Sequence, residues 1–303
     1  MLISAVEHYL EVRRALGYKL ENTGYLLKKF ARFAMERGDT HIVARTAVAW
    51  AEQTTTQRQR YRRLRMISAM ARFLRAEDER HALPPEGVFR GRQLRPLPYI
   101  FTIAEIQALL AQTKQLEPRR SLRPQTYYTL FGLVATAGLR ISEALSLRID
   151  DFTGDGLLIR ETKFHKNRLV PLHPTATLAV ERYLVARRRL SGGDDHLFIS
   201  LRRTRIHYHT VWRTFRDLCR IVGLPQRPHP RSVRLYDLRH SYAVRALEAC
   251  PHDRSRVTPH MLALTTYMGH ASISSTYWYL ESTPQLLGDI ATTSESFVNG
   301  ELS

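Results

Sequence analysis

A histidine and a tyrosine nine residues apart, His270 and Tyr279, are the pair of side chains best suited to chemistry in this sequence. They lie in the segment MGHASISSTYWYL, where Gly269 is typical of a helix C-terminus and Ser272 can cap a following helix. Both side chains can then face one cavity. Because a phenol with a pKa of about 10 is a poor nucleophile, the pair can act only if cations surround it. Otherwise the segment is a buried aromatic helix with a hydrogen-bonded histidine.

Two arginines in apolar helical contexts are candidates for those cations. Arg140 follows Gly138 in TAGLRISEALSL, and Glu143, one turn further on, can hold its guanidinium group. Arg239 lies in LYDLRHSYA, near the start of a predicted helix. Two guanidinium groups can clamp the non-bridging oxygens of one phosphodiester and stabilise a pentacoordinate phosphorus without a metal. Taken alone, each arginine is equally compatible with a structural ion pair.

A lysine in a hairpin turn is a candidate proton donor. Lys163 lies in ETKFHKNRLVPL between two predicted strands, where Lys166 and Arg168 compete for the same role. The full set suits attack on a DNA phosphodiester. Tyr279 would attack phosphorus, His270 would bind or shuttle protons at the phosphate, and Lys163 would protonate the leaving 5′ oxygen. The 3′-phosphotyrosyl product conserves the bond energy, so rejoining would need neither ATP nor a metal or other cofactor.

These segments resemble, in order and spacing, the boxes of the tyrosine recombinases, the lambda-integrase and Xer group. The matching segments are TAGLRISEALSLRIDD, TKFHKNRLVPLH, LYDLRHSYA and MGHASISSTYWYL. The resemblance covers essentially the whole chain and implies an enzyme that breaks and rejoins DNA. Position by position, it implies a supporting acid at Glu143 and catalytic roles for Arg140, Lys163, Arg239, His240, His270 and Tyr279.

One position departs from the family pattern. The family usually has a histidine three residues before the second arginine, whereas this sequence has Tyr236. A phenol can hydrogen-bond a phosphate oxygen, but it is neither a cationic donor nor a good base at neutral pH. We therefore expect either lower activity or a shift of the work to His240 and His270. Tyr277 is a rival nucleophile, but it lies about 200° from Tyr279 around a helix, and the spacing favours Tyr279.

The composition points to a polyanionic partner. Lysine and arginine number 46 against 28 acidic residues, which gives a formal net charge of +18 and a pI near 10.4. Nucleic acid relieves such self-repulsion, and no segment suits a membrane surface. The two cysteines are too few for a disulfide framework or a metal cluster and suit a reducing cytosol. Without a signal peptide or an apolar spanning run, we expect a cytoplasmic, nucleoid-associated protein.

The periodicity predicts a mainly α-helical chain with two domains and a small antiparallel β-sheet. A capping-box pattern of Thr102 and Glu105 marks the start of the second domain, whose strands pair as a hairpin across residues 162–167. The resemblance implies that the tail docks on a neighbouring protomer, with packing on its own domain or disorder as alternatives. The predicted divisions are a core-binding (SAM-like) helical bundle at 1–80, a basic linker at 81–101, a catalytic domain at 102–282 and the tail at 283–303.

One predicted helix carries a row of basic side chains. Its apolar residues share one face, its arginines share another, and residues 57–75 contain no acid. Because a solvated face usually mixes glutamate with arginine, the row predicts contact with DNA phosphates. The predicted DNA-binding residues are Arg58, Arg62, Arg65 and Arg72 on this helix and Arg90 and Arg92 in the linker.

The sequence thus predicts a site-specific recombinase of the integrase or transposase type, encoded by a mobile element. Its expected partners are double-stranded DNA with specific core sites and further copies of itself in a tetramer, with partner recombinases as another option. One alternative is a catalytically weakened relative that binds DNA as an architectural or regulatory protein, which only Tyr236 supports. The others are a helical basic DNA-binding factor without this chemistry and a type IB topoisomerase.

Overall fold

The chain divides into two compact units, Met1–Arg95 and Pro96–Ser303, each with its own apolar core. The described part is mainly helical with one three-stranded antiparallel sheet, which confirms the predicted fold class. Lys163, Arg90, Arg92 and the 283–303 tail lie outside the described residues. Our computed structural model describes residues 2–89, 98–160, 167–190, 194–225, 232–249, 254–270, 272–277 and 279.

The described residues of the first unit form four helices. They are α1 Leu2–Ala15, α2 Glu21–Met35, α3 Ala44–Glu52 and α4 Gln57–Leu74. Thr56 caps α4 by accepting the backbone N–H of Gln59. The core includes Phe30 and Trp50, which meet edge to face with ring centroids 5.6 Å apart. Phe89 joins the same core, so the chain after α4 returns to this unit.

The second unit opens with three helices and a small sheet. They are α5 Ile103–Thr113, α6 Arg123–Ala137, α7 Ile141–Ala144, β1 Phe152–Thr153, β2 Gly156–Ile159 and β3 Arg168–Val170. The predicted capping box is confirmed, because the Glu105 N–H donates to the Thr102 hydroxyl and the Thr102 N–H donates to the Glu105 carboxylate. The strands pair antiparallel in the order β1-β2-β3, with Leu157 opposite Val170. The strands of the predicted hairpin are therefore present.

Five further helices follow among the described residues of the second unit. They are α8 Pro174–Arg188, α9 Tyr208–Ile221, α10 Asp237–Glu248, α11 Arg254–Met268 and α12 Ser274–Tyr277. The central helix α6 is buried along most of its length and packs against α5, α8 and α10. Because α6 ends where α7 begins, this packing brings the α6–α7 turn beside the start of α10.

Candidate active site

The first predicted arginine lies where α6 ends and α7 begins. Gly138 adopts a left-handed conformation (φ 59°), and a Cβ there would collide with the Tyr242 ring, so the turn requires glycine. The turn places Arg140 at the N-cap of α7, where its backbone N–H donates to Glu143 (2.9 Å). The Arg140 guanidinium donates to the Glu143 carboxylate (2.6 Å) and to the carbonyl of Gly269 (2.7 Å).

Glu143 joins two guanidinium groups. Arg168, on β3, donates to both carboxylate oxygens of Glu143 at 3.0 and 2.8 Å, and its Nε donates to the Tyr267 carbonyl. Burial raises the pKa of Glu143, but the hydrogen bonds and charges of Arg168 and Arg140 outweigh burial and hold that pKa at about 2. The carboxylate is therefore ionised at neutral pH, and it fixes the Arg140 side chain.

The low pKa of Glu143 predicts a loss of stability in acid. Because the pKa falls from 4.5 to about 2 on folding, this stabilisation is complete above pH 4.5 and is lost as the pH falls toward 2. The shift corresponds to about 3 kcal/mol of unfolding free energy. In Glu143→Gln, we expect urea unfolding free energies to depend less on pH between pH 5 and 3 than in the wild type. Glu117→Gln, at an exposed ion pair, is the control, and equal pH dependence in both variants would contradict the expectation.

The second predicted arginine is fully buried. Arg239 lies in the first turn of α10, and its guanidinium donates to the carbonyls of Gly138 (2.6 Å) and Met268 (2.7 Å). It also donates to Nε2 of His270 at 3.2 Å. Burial lowers the pKa of this guanidinium, which keeps its charge at neutral pH. Its Nε has no hydrogen-bond partner among the described residues, so a buried donor is left for an anion.

His270 follows a helix-ending turn, as the sequence predicts. The N–H groups of Gly269 and His270 donate to carbonyls in the last turn of α11 at 2.9 and 3.0 Å, which is the Schellman pattern. Gly269 has a φ of 63°, and a Cβ there would lie 2.7 Å from the Arg168 guanidinium. Backbone conformation and space therefore both require glycine, and the turn delivers His270 to Arg239.

The predicted nucleophile is buried between two histidines. Tyr279 is 2% exposed, and its ring stacks on His270 with centroids 6.0 Å apart. Its hydroxyl lies 3.1 Å from Nδ1 of His240, the residue after Arg239 on α10. Tyr236 packs on His240 with ring centroids 4.7 Å apart and is 38% exposed. In this state the hydroxyl therefore contacts His240, and Tyr236 forms the outer part of the same aromatic cluster.

The structure brings most of the predicted site residues together and adds one. The joined residues are Arg140, Glu143, Arg239, His270, Tyr279, His240 and Tyr236. The sequence presents Arg168 as a rival of Lys163 for proton donation, but in the structure its guanidinium binds Glu143 and the Tyr267 carbonyl. The sequence signal for this other role is the alternation along β3, where Leu169 is exposed and Val170 is buried. Arg168 therefore shares the inward face with Val170, and an arginine on that face requires a buried acid as its partner.

The predicted DNA-binding arginines of α4 separate into two groups. Arg58, Arg62 and Arg65 line one concavity together with Tyr61, and no acid is among the described residues that line it. Arg72 does not line the concavity, and its guanidinium pairs instead with Glu86 at 2.9 Å. The first three arginines therefore form the basic surface of α4, which is the name used below for this group.

No group of three or more His, Cys, Asp or Glu side chains among the described residues is arranged to hold a metal ion. No helix in the described part of the chain has the length and apolar character needed to cross a membrane.

Comparison with known proteins places the chain in a family. Residues 100–285, more than half of the chain, match the model of the phage integrase family. The chain belongs to this family. A Sinorhizobium fredii protein named as an integrase/recombinase, y4rB, is 38% identical over an alignment of 298 residues, and the match covers 93% of this chain and 93% of that protein. Tyrosine recombinase XerC of Chromobacterium violaceum is 30% identical over 258 residues, which are 84% of this chain and 80% of XerC.

A solved structure shares the fold of this phage integrase family member. The lambda integrase tetramer bound to a Holliday junction matches with a TM-score of 0.65 and 16% identity, over 91% of this chain and 76% of that chain. This likeness concerns the fold, whereas the family rests on the sequence matches. The chain is thus a site-specific recombinase of the tyrosine type, an enzyme that breaks and rejoins DNA strands, and the binding-only alternative is not favoured.

Proposed function

We propose that Tyr279 attacks a DNA phosphodiester that is held by Arg140, Arg239 and His270. One observation carries this assignment. The guanidinium groups of Arg140 and Arg239 come from separate helices and donate to two consecutive carbonyls of the turn that ends α11, directly before His270. Two guanidinium groups fixed this way can bind the non-bridging oxygens of one phosphate. The Nε of Arg239, which has no hydrogen-bond partner among the described residues, supplies a further donor.

The proposed reaction is a direct displacement at phosphorus. The Tyr279 hydroxyl gives up its contact with His240 and forms a bond to phosphorus, while the bond from phosphorus to the 5′ oxygen breaks. Lys163 protonates the leaving 5′ oxygen, and the tyrosyl proton passes to a base of the site. The 3′-phosphotyrosyl link keeps the bond energy, so a 5′ hydroxyl can reverse the step without ATP or a metal.

The aromatic neighbours have supporting roles in this proposal. Tyr236 is partly exposed and packs on His240, the residue after Arg239, so its phenol is placed to donate a hydrogen bond to the bound phosphate. His240 holds the Tyr279 hydroxyl before attack. Glu143 contacts no reacting atom and acts by fixing Arg140.

The same proposal assigns the two units to DNA binding and assembly. Residues 1–80 form the core-binding bundle, 81–101 the basic linker with Arg90 and Arg92, and 102–282 the catalytic domain. The enzyme acts on specific core sites in double-stranded DNA as a tetramer, alone or with partner recombinases, and associates with the nucleoid. The lambda integrase relative of similar fold is a tetramer on a Holliday junction, which supports this assembly. The 283–303 tail would join protomers.

Covalent trapping tests the catalytic assignment. Nicked duplexes that carry inverted repeats of randomised sequence are incubated with the protein, and adducts that survive denaturant are selected and sequenced. We expect a protein–DNA adduct whose digestion yields a phosphotyrosyl peptide linked at Tyr279. A linkage at any other residue would contradict the assignment, and binding without an adduct on every selected site would favour a DNA-binding protein without cleavage.

The basic surface of α4 predicts a salt effect on DNA binding. If Arg62 neutralises one phosphate, Arg62→Gln should reduce the slope of log affinity against log salt by about 0.9 for duplex DNA. Fluorescence anisotropy with the selected duplex between low and moderate salt measures this slope. Arg80→Gln is the matched control, because Arg80 is exposed in the same unit and pairs with Asp78. An equal change in both variants would show that only net charge matters.

A further inference from the structure

A chain of four hydrogen bonds runs through His270. The Arg239 guanidinium meets Nε2 of His270 at 3.2 Å, and Nδ1 of His270 lies 2.8 Å from the Thr276 hydroxyl. The Thr276 hydroxyl lies 2.9 Å from that of Thr265, which donates to the Met261 carbonyl at 2.7 Å. We call the two hydroxyl groups the threonine relay.

The directions of these bonds follow from which atoms can donate. A carbonyl only accepts, so Thr265 uses its single hydroxyl proton on Met261 and must accept from Thr276. Thr276 thereby uses its own proton, so it must accept from Nδ1 of His270. At the other end a guanidinium only donates, so Nε2 of His270 must be the acceptor. The threonine end requires a proton on Nδ1 and the Arg239 end requires a lone pair on Nε2, so together they specify the neutral imidazole with its proton on Nδ1.

Burial of both threonines supports the assignment of the proton to Nδ1 of His270. Thr276 has no exposed surface and Thr265 is 7% exposed, so water has little access to replace either hydroxyl partner. The two threonines come from different helices, α12 and α11, and the Schellman turn between them holds His270. The relay therefore depends on tertiary packing of α12 against α11.

We propose that Thr276, oriented by Thr265, is a positioning residue that keeps the lone pair of His270 on Nε2, where it accepts the proton of Tyr279. The proposal rests on the proposed function. When a phosphate oxygen takes the hydrogen bond of Arg239, the lone pair of Nε2 can receive that proton as Tyr279 bonds to phosphorus. The bond to the 5′ oxygen breaks, and the resulting imidazolium still donates from Nδ1 to Thr276.

This arrangement also explains how the site works with Tyr236. A phenol at that position cannot accept the nucleophile's proton at neutral pH, so a base is required elsewhere. The relay excludes the Nε2–H tautomer, so His270 offers an acceptor nitrogen for that proton beside His240, which contacts the Tyr279 hydroxyl before attack. In the same way, a second group fixes the tautomer of a catalytic histidine in hydrolases.

Histidine nitrogen NMR of the free protein tests the tautomer without any catalysis. In wild-type protein labelled with ¹⁵N-histidine, we expect His270 as the Nδ1–H form. Thr276→Val, which keeps the shape of the side chain, should lose this preference. Thr265→Val should change it as well, because Thr276 then becomes able to donate to Nδ1. Thr276→Ser should restore the wild-type spectrum.

Single-turnover cleavage of the selected nicked duplex tests the consequence. We expect Thr276→Val to cleave about 10- to 100-fold more slowly with unchanged DNA affinity. A general base contributes about 10²- to 10⁴-fold to the rate, and this variant loses only part of that contribution. Thr276→Ser should stay within about threefold of the wild type. If Thr276→Val does not fold, Thr265→Val carries both measurements.

The outcomes separate the two proposals. An Nε2–H imidazole in the wild type, or wild-type tautomer and rate in Thr276→Val and Thr265→Val, would overturn the role of the relay. If the wild type shows the Nδ1–H form and the valine variants lose it, but no duplex yields an adduct at Tyr279, the assignment of the nucleophile fails. In that case the structural relay still stands.

Discussion

Tyr279→Phe is expected to abolish the covalent adduct with the selected nicked duplex, whereas Tyr277→Phe should form it at close to the wild-type level. Phenylalanine lacks the oxygen that bonds to phosphorus, and no compensation by charge or packing can replace a nucleophile. The ring of Tyr279 stays in its apolar cluster, and the hydrogen bond to His240 is lost. We therefore expect unfolding free energy to fall by only about 1 kcal/mol.

The two tyrosine variants are matched, because each removes one hydroxyl within two positions of the other. Denaturing gels measure the adduct, and gel shifts measure binding to the same duplex. Binding should persist in both variants, so loss of the adduct reports chemistry. An adduct that survives in Tyr279→Phe and disappears in Tyr277→Phe would assign the nucleophile to Tyr277.

Arg239→Lys is expected to slow cleavage by about 10³-fold although it keeps the positive charge. One ammonium group cannot span the carbonyls of Gly138 and Met268 and still reach His270 and a phosphate. Loss of a single donor at developing negative charge costs about 10²- to 10³-fold, and the lysine loses more than one. Single-turnover cleavage with saturating protein measures the effect on the chemical step.

Arg245→Lys provides the control for that variant. Arg245 lies on the same helix and also donates to a backbone carbonyl, that of Phe101, but it belongs to no part of the proposed site. We expect cleavage by Arg245→Lys within about threefold of the wild type, since surface-type changes away from a site are small. Equal losses in both variants would mean that Arg239 supports only the fold.

Sequence alone determined the family and the fold class and predicted most residues of the candidate site, because the relevant signals are local. Arg140 and Glu143 are one helical turn apart, so their contact follows from helix geometry. Gly269 and His270 form a helix-ending turn whose conformation glycine permits. The order and spacing of four such segments then indicated one reaction. Resemblance to a family added the roles that spacing could not assign.

A local sequence signal gave the wrong start for helix α11. The Thr258–Pro259 pair predicts the start of a helix, but α11 begins at Arg254 and continues through Pro259. Proline is favoured in the first turn of a helix, yet a longer helix can accept it with the loss of one backbone hydrogen bond. Packing of α11 against α10 accompanies the longer helix.

Only the tertiary structure decided which partner each polar group takes. Arg168 binds Glu143 across 25 positions of sequence, and the Tyr279 hydroxyl reaches His240 across 39. No periodicity encodes such contacts, because they depend on how separate helices and a strand pack. Because a buried donor must have an acceptor, burial then restricts which group of each pair can donate and which must accept. The sequence thus predicted which groups the candidate site contains, and packing decided which partner each of them contacts.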